Sequence, residues 1–178
     1  WDPRCNNASE ALEVAFENYE DKVFDLLFQK GVSLKMKHLH YMIWRSQDLV
    51  KTVNNLKETN NWDAKCDDAC EALAKAYGKD QYDVCRLLIQ EGVSLTMKNL
   101  ASVIIKSSFN FNPLNRDRVS LESVKKAIQH LKDTKSWDAK CDGASEAVVK
   151  AYREELYDVF QLLIQEGVSL TMKNLPGV

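Results

Sequence analysis

Trp62-Asp63-Ala64-Lys65-Cys66 opens a block that closes at Gly92-Val93-Ser94-Leu95, 30 residues from tryptophan to glycine. The same two phrases recur as Trp1-Asp2-Pro3-Arg4-Cys5 with Gly31-Val32-Ser33-Leu34, and as Trp137-Asp138-Ala139-Lys140-Cys141 with Gly167-Val168-Ser169-Leu170. The tryptophan-to-glycine distance is 30 in all three, so no insertion is tolerated inside the block. A fixed period of this kind marks supersecondary units that bury their apolar faces on one another. Such units offer surface rather than an obvious catalytic pocket.

Each block reads as two helices. In the second, Ala69, Ala72, Leu73, Ala76 and Tyr77 recur at helical spacing, followed by Tyr82, Val84, Cys85, Leu87, Leu88 and Ile89. Asn7-x-x-Glu10 and Asp68-x-x-Glu71 fit a capping box at the start of the first helix, and Gly143-x-x-Glu146 is a weaker version. Gly31, Gly92 and Gly167 fall where the second helix needs a left-handed residue to stop. Small residues line the first helix: Ala8, Ala11 and Ala15, with counterparts Ala69, Ala72, Ala76 and Ala144, Ala147, Ala151. They allow close helix approach.

Between blocks lies a different helix pair. Met36, Leu39, Met42 and Ile43 form one stripe, repeated by Met97, Leu100, Val103 and Ile104; Leu49, Val53 and Leu56 form the next, repeated by Val124, Ile128 and Leu131. The true period is therefore four helices, 61 residues from Trp1 to Trp62 and 75 from Trp62 to Trp137. The extra residues fall in a loop over 107–120, rich in Asn, Pro and Ser. No segment alternates with period two, so no strand is expected. The reading is an all-α solenoid of stacked antiparallel helix pairs with roughly ten helices by this count of stripes. It is a single array over 1–178, with blocks 1–34, 62–95 and 137–170 and divergent pairs 35–61 and 96–136. The chain starts and stops within this pattern, which suggests a piece of a longer array.

Composition narrows the function. Apolar residues at 45% and charged residues at 28% are those of a globular domain, and a net charge of −2 argues against nucleic-acid binding. No apolar run approaches the roughly 18 residues that span a bilayer, so membrane insertion is not expected. Lys125-Lys126 with Lys132 is too sparse for a membrane-surface face. The five cysteines are Cys5, Cys66, Cys70, Cys85 and Cys141. Three occupy one repeat position, too far apart to be disulfide partners. Reduced thiols in an intracellular, cytoplasmic setting follow.

The blocks resemble ankyrin repeats. Glu71-Ala72-Leu73-Ala74-Lys75-Ala76-Tyr77 aligns with that family's T-P-L-H-x-A-A, and Tyr82 to Leu95 with its L-E-V-V-K-L-L-L-E-x-G-A-D-V. Val-x-x-Leu-Leu-x-x-x-Gly recurs at Val23, Leu26, Leu27, Gly31 and at Val159, Leu162, Leu163, Gly167. The Thr-Pro-x-His letters are absent, and the family's glycine between the helices is replaced by Tyr19, Asp80 and Glu155. The resemblance implies docking of partners on turns and first helices, which by position are Asp63, Lys65, Lys75, Asp138, Lys140 and Lys150. Flanking repeats of the same chain would be further partners.

Chemistry-bearing groups are few. Cys66, Cys70 and Cys85 lack a fourth zinc ligand, and His38-x-His40 points two ways from one helix. No cysteine has an evident histidine base. No catalytic residue, metal or cofactor is therefore expected. Asn7-Ala8-Ser9 matches a glycosylation sequon but coincides with a helix start. Trp1, Trp62 and Trp137 read as seals between units, and the repeated cysteines as small buried groups. Trp44 has no repeat counterpart, so it is either a surface anchor or a larger core filler. Phe109, Phe111, Arg116 and Arg118 in the inserted loop are candidate protein-binding anchors. The expected function is a non-catalytic scaffold for protein partners; the alternative is an architectural spacer within a larger protein.

Overall fold

The computed structural model describes residues 2–3, 5–44, 48–104 and 119–169. Trp1, residues 107–118 of the inserted loop with Phe109, Phe111, Arg116 and Arg118, Leu170 at the end of the third block, and the Trp44 side chain lie outside the described residues. The chain falls into two compact units, Trp1–Ala69 and Cys70–Val178. The described residues are all-helical and contain no strand. Among them, no helix is long and apolar enough to cross a membrane.

In the first unit, α1 (Asn6–Glu17) packs on α2 (Asp21–Gln29). A 3-10 turn, Met36–His38, runs into α3 (Leu39–Trp44), and α4 (Leu49–Glu58) follows. Leu12, Phe24, Leu34, Leu39, Met42 and Leu56 are fully buried. The second unit takes up α5 (Asp67–Gly78) and continues with α6 (Tyr82–Gln90), a 3-10 turn Met97–Asn99, α7 (Leu100–Val103) and α8 (Leu121–Asp133). Then come α9 (Asp142–Arg153) and α10 (Tyr157–Gln165). Here α9 packs on α7, on the preceding 3-10 turn and on α10. Its core holds Leu73, Leu88, Leu95, Leu100, Ile104 and Leu131, each contributing roughly 1.5–3 kcal/mol by leaving water.

The repeated letters map onto repeated backbone. Trp-Asp-x-x-Cys is a turn: the Asp63 carboxylate accepts the Lys65 N–H at 2.9 Å, and Asp138 does the same for Lys140 at 2.9 Å. The cysteine N–H closes back on the aspartate carbonyl at 3.3 Å from Cys5 and 3.4 Å from Cys66 and Cys141. Cys5 and Cys141 are then the N-caps of α1 and α9, and Cys141 Sγ accepts the Ala144 N–H at 3.4 Å. This corrects two expectations. The helices begin before the capping-box residues Asn7, Asp68 and Gly143, and the repeated cysteines are half-buried rather than core groups, two of them at N-cap positions.

Eight helix ends share one closure. A residue at positive φ is followed by an amide that reaches the carbonyl five residues back, as in Glu20 to Ala15, Val32 to Leu27 and Asn61 to Leu56. Gly31, Gly92 and Gly167 take this place at φ 84°, 87° and 85°, as expected. Tyr19, Asp80 and Glu155, which stand where the resembled family has glycine, keep the left-handed conformation at φ 57°, 56° and 57°. Asn60 and Lys135 do likewise.

One small-residue expectation fails in part. Ala72 and Ala147 are fully buried, but Ala11 is exposed. Ala147 lies on a helix packed against α7.

Candidate functional site

After the first two Gly-Val-Ser-Leu phrases the backbone is extended, at Lys35 and Thr96, with no neighbouring strand among the described residues, so its polar groups need other partners. Side chains supply them. Asn55 accepts the Leu34 N–H at 2.8 Å and donates to the Val32 carbonyl at 3.2 Å, and Asn61 donates to the Leu34 carbonyl at 2.7 Å. In the second unit His130, at the position of Asn55, takes the Leu95 N–H on Nε2 at 3.3 Å. Burial holds the His130 imidazole below its usual pKa, which keeps that acceptor unprotonated. His130 is thus a tether for the backbone.

The densest ionisable group is in the first unit. Glu13 of α1 faces the 3-10 turn, with Lys35 Nζ 2.7 Å from one carboxylate oxygen and Lys37 Nζ on the other. His38 is fully buried; its Nδ1 accepts the Lys35 N–H at 3.1 Å, and its Nε2 lies 3.6 Å from Glu13. Phe16 and Phe24 surround the imidazole at ring separations of 4.9 and 5.7 Å. Tyr41 stacks edge-on to both phenylalanines and hydrogen-bonds Asp21. Burial pushes the Glu13 carboxyl up, but hydrogen bonds from Lys35 and Lys37 and the charges of His38 and Lys35 outweigh it and bring it to about 2. Burial lowers His38 to about 4, against the opposing pull of Glu13. At neutral pH the pair is a carboxylate and a neutral imidazole. The carboxylate is already neutralised by two half-exposed ammonium groups, so this is an ion network rather than a poised acid and base.

A second cluster sits in the second unit. Asp80, in its left-handed turn, accepts from Tyr82 and Ser120 at 2.7 Å each and from Ser123. Ser120 caps α8 through the Ser123 N–H at 3.1 Å, so the cluster ties the α5–α6 turn to the start of α8. Lys126 Nζ lies 3.5 Å over the Tyr82 ring. Burial alone would raise the Asp80 carboxyl, but its three hydroxyl donors and Lys126 lower it. Deeper in, burial pushes the Cys85 thiol up to about 12, and it stays protonated. A thiol in that state is a poor nucleophile.

The residues singled out from the sequence are dispersed. Asp63 and Asp138 spend a carboxylate oxygen on their own turns, and Lys65 and Lys140 are exposed beside them. Lys75 Nζ is 3.6 Å from Glu71 on the same helix, and Lys150 is half-exposed in the last turn of α9. Trp62 and Trp137 are half-buried; Lys132 Nζ, paired with Glu166 at 2.5 Å, lies 5.9 Å from the Trp137 ring. None of the five cysteines is in a disulfide, and no group of three metal-binding side chains occurs among the described residues. A shallow cleft of about 580 Å3 in the first unit is lined by groups already engaged: Asp48 caps α4, Asn55 holds Leu34, and Lys51 lies 5.0 Å over Phe28.

Sequence reasoning missed the Glu13–His38 network. The signal was there: Glu13 stands where the other blocks have Ala74 and Val149, and His38 where the next has Asn99. Comparison with protein-family models, with curated proteins and with solved structures finds no match to this chain.

Proposed function

We propose that the chain is a non-catalytic protein-interaction module, a solenoid of ankyrin-like helix pairs working in a reducing, cytoplasmic compartment. One observation carries this reading: several residues that recur between blocks are spent on turns, caps and backbone ties, while some that differ stand at the surface. Asp63 and Asp138 make turns, Cys141 caps a helix, and the recurring leucines Leu34 and Leu95 have their amides held by Asn55 and His130. Lys35, by contrast, stands where the next repeat has Thr96 and is half-exposed on the Glu13 network. A pre-ordered helical surface also avoids the conformational cost of folding on binding. A thiol held protonated at Cys85 and a Glu13 carboxylate neutralised by lysines fit a surface better than a reactive centre.

Affinity capture with the chain, followed by substitution, tests this. Phe109→Ala and Arg116→Ala should leave the melting temperature unchanged and weaken a captured partner by roughly tenfold, as interface anchors do. If the chain captures nothing in a specific, saturable way, or if Phe109→Ala lowers the melting temperature by many degrees, the assignment of these residues fails.

A further inference from the structure

The two units hold the segment that follows Gly-Val-Ser-Leu with exchanged residues. His38 of the first unit corresponds to Asn99 of the second, and Asn55 of the first to His130 of the second. Each unit thus sets one imidazole and one amide on that segment, at opposite positions. In the first unit Asn55 accepts the Leu34 N–H at 2.8 Å and His38 Nδ1 accepts the Lys35 N–H at 3.1 Å. In the second, His130 Nε2 accepts the Leu95 N–H at 3.3 Å and Asn99 Oδ1 accepts the Thr96 hydroxyl at 2.6 Å.

The two kinds of acceptor respond differently to acid. An amide oxygen remains an acceptor across the ordinary pH range. An imidazole nitrogen that accepts a hydrogen bond carries no proton, and protonation turns that same atom into a donor. A donor cannot stay against a backbone N–H, so the bond is lost. The geometry fixes opposite tautomers for the two rings. His38 carries its proton on Nε2, which lies 3.6 Å from the Glu13 carboxylate, and His130 carries its proton on Nδ1.

Their surroundings leave the imidazoles as the groups that change state in weak acid. His38 faces Glu13 and Phe16 from α1, Phe24 from α2, and Lys35 and Lys37 from its own turn. Tyr41 of α3 stacks on the same two phenylalanines and bonds Asp21 of α2. Glu13, lowered to about 2, stays ionised while His38 titrates. His130 faces Tyr77 of α5 at a ring separation of 6.1 Å, with Asp133 on its own helix. Burial pushes the Tyr77 hydroxyl up to about 12, so it stays protonated.

We propose that each unit carries a proton-operated latch: an imidazole lone pair holds the segment after its Gly-Val-Ser-Leu phrase, and acid opens that segment locally while the helices remain folded. In the first unit Asn55 and Asn61 keep their hold on Leu34, so opening is confined to the turn Met36–His38. In the second the tie on Leu95 itself is lost, which uncovers the buried Leu95 and Met97. The latch goes beyond the interaction-module reading and does not depend on it.

Two NMR measurements on the whole chain test this. Ring 15N shifts at neutral pH should show His38 as the Nε2–H tautomer and His130 as the Nδ1–H tautomer. Amide exchange, divided by the intrinsic rate at each pH, should show Lys35 losing protection roughly thirtyfold between about pH 7.5 and about pH 5, from the gap between about 4 in the closed form and 6.5 in the open form. Leu95 should lose protection in the same direction. Both amides should respond weakly to urea below the unfolding transition, because a local opening exposes little surface, whereas Leu12 and Leu131 in core helices should respond strongly. His38→Asn should remove the pH dependence at Lys35 and leave it at Leu95, and His130→Asn should do the reverse. Either ring in the other tautomer overturns the proposal. So does protection at Lys35 and Leu95 that is independent of pH, or that keeps its pH dependence in the matching variant. Exchange of both amides with the urea dependence of Leu12 and Leu131 reduces the effect to global unfolding and overturns it too. Circular dichroism checks that the variants fold; for one that does not, the wild-type ring shifts and urea dependence decide.

Discussion

At the scale of single residues, the chain tolerates two costs. The first is left-handed backbone at side-chain-bearing residues. Glu155 and Lys135 are exposed and sit at φ 57° and 56°, where an L-residue is disfavoured by about 1–2 kcal/mol and glycine is not. Glycine's greater entropy in the unfolded chain offsets part of that gain. Glu155→Gly should therefore stabilise by a few tenths to about 1 kcal/mol in urea titrations. Gly31→Ala should cost about 1 kcal/mol through backbone strain alone, since nothing lies within 4 Å of its added methyl. The second cost is the buried imidazole. His38 has a folded pKa near 4 against 6.5 in the unfolded chain, so the unfolded state takes up a proton that the folded state refuses. Stability is thus full above pH 6.5 and declines as pH falls from 6.5 towards 4, by on the order of 3 kcal/mol for this group. Glu13, lowered to about 2, adds its loss at lower pH, from about 4.5 downwards. His38→Asn, the residue found at the counterpart Asn99, should flatten the decline between pH 6.5 and 4. A residual slope from His130 should remain, because its pKa is also lowered. An unchanged slope in denaturation curves would remove His38 as its origin.

At the scale of elements, helix starts are set by a turn and helix ends by a left-handed residue. The most constrained junction is the start of α9. A methyl on Gly143 would lie 2.5 Å from the Met97 carbonyl oxygen and 2.8 Å from its carbon, both backbone atoms that cannot rotate away. Gly143→Ala should cost roughly 1–3 kcal/mol despite alanine's better helix propensity, because the 3-10 turn must move. A melting temperature that rises on this change would show that α9 does not approach the turn so closely. The sequence read Gly143 as a weak helix cap, which was the wrong physics: it is a contact glycine. Its counterparts Asn7 and Asp68 carry side chains, so no repeat pattern could have revealed the need for glycine.

At the scale of the whole molecule, one position illustrates what packing decides. Phe24 and Phe160 are equivalent in the repeat, yet one is fully buried and the other half-exposed. Phe24→Ala should destabilise by about 3–5 kcal/mol by opening a cavity. Phe160→Ala should cost well under half of that, because part of its ring is already in water. Equal losses in chemical denaturation would mean that the two sites are equally covered in solution.

Much of the fold was legible without coordinates. The apolar stripes located the helices, the three glycines located the helix stops, and the absence of alternation excluded strands from the described residues. These features are local, since a backbone conformation at positive φ or a turn closed by its own aspartate depends on residues a few positions away. What the sequence could not state was which equal residues would be unequally buried, why Gly143 must be glycine, and that Glu13 and His38 meet. Those outcomes depend on which element lies across the gap, and that element is supplied by residues distant along the chain. Tertiary packing alone determined them, because burial and ion pairing are properties of a neighbourhood in space.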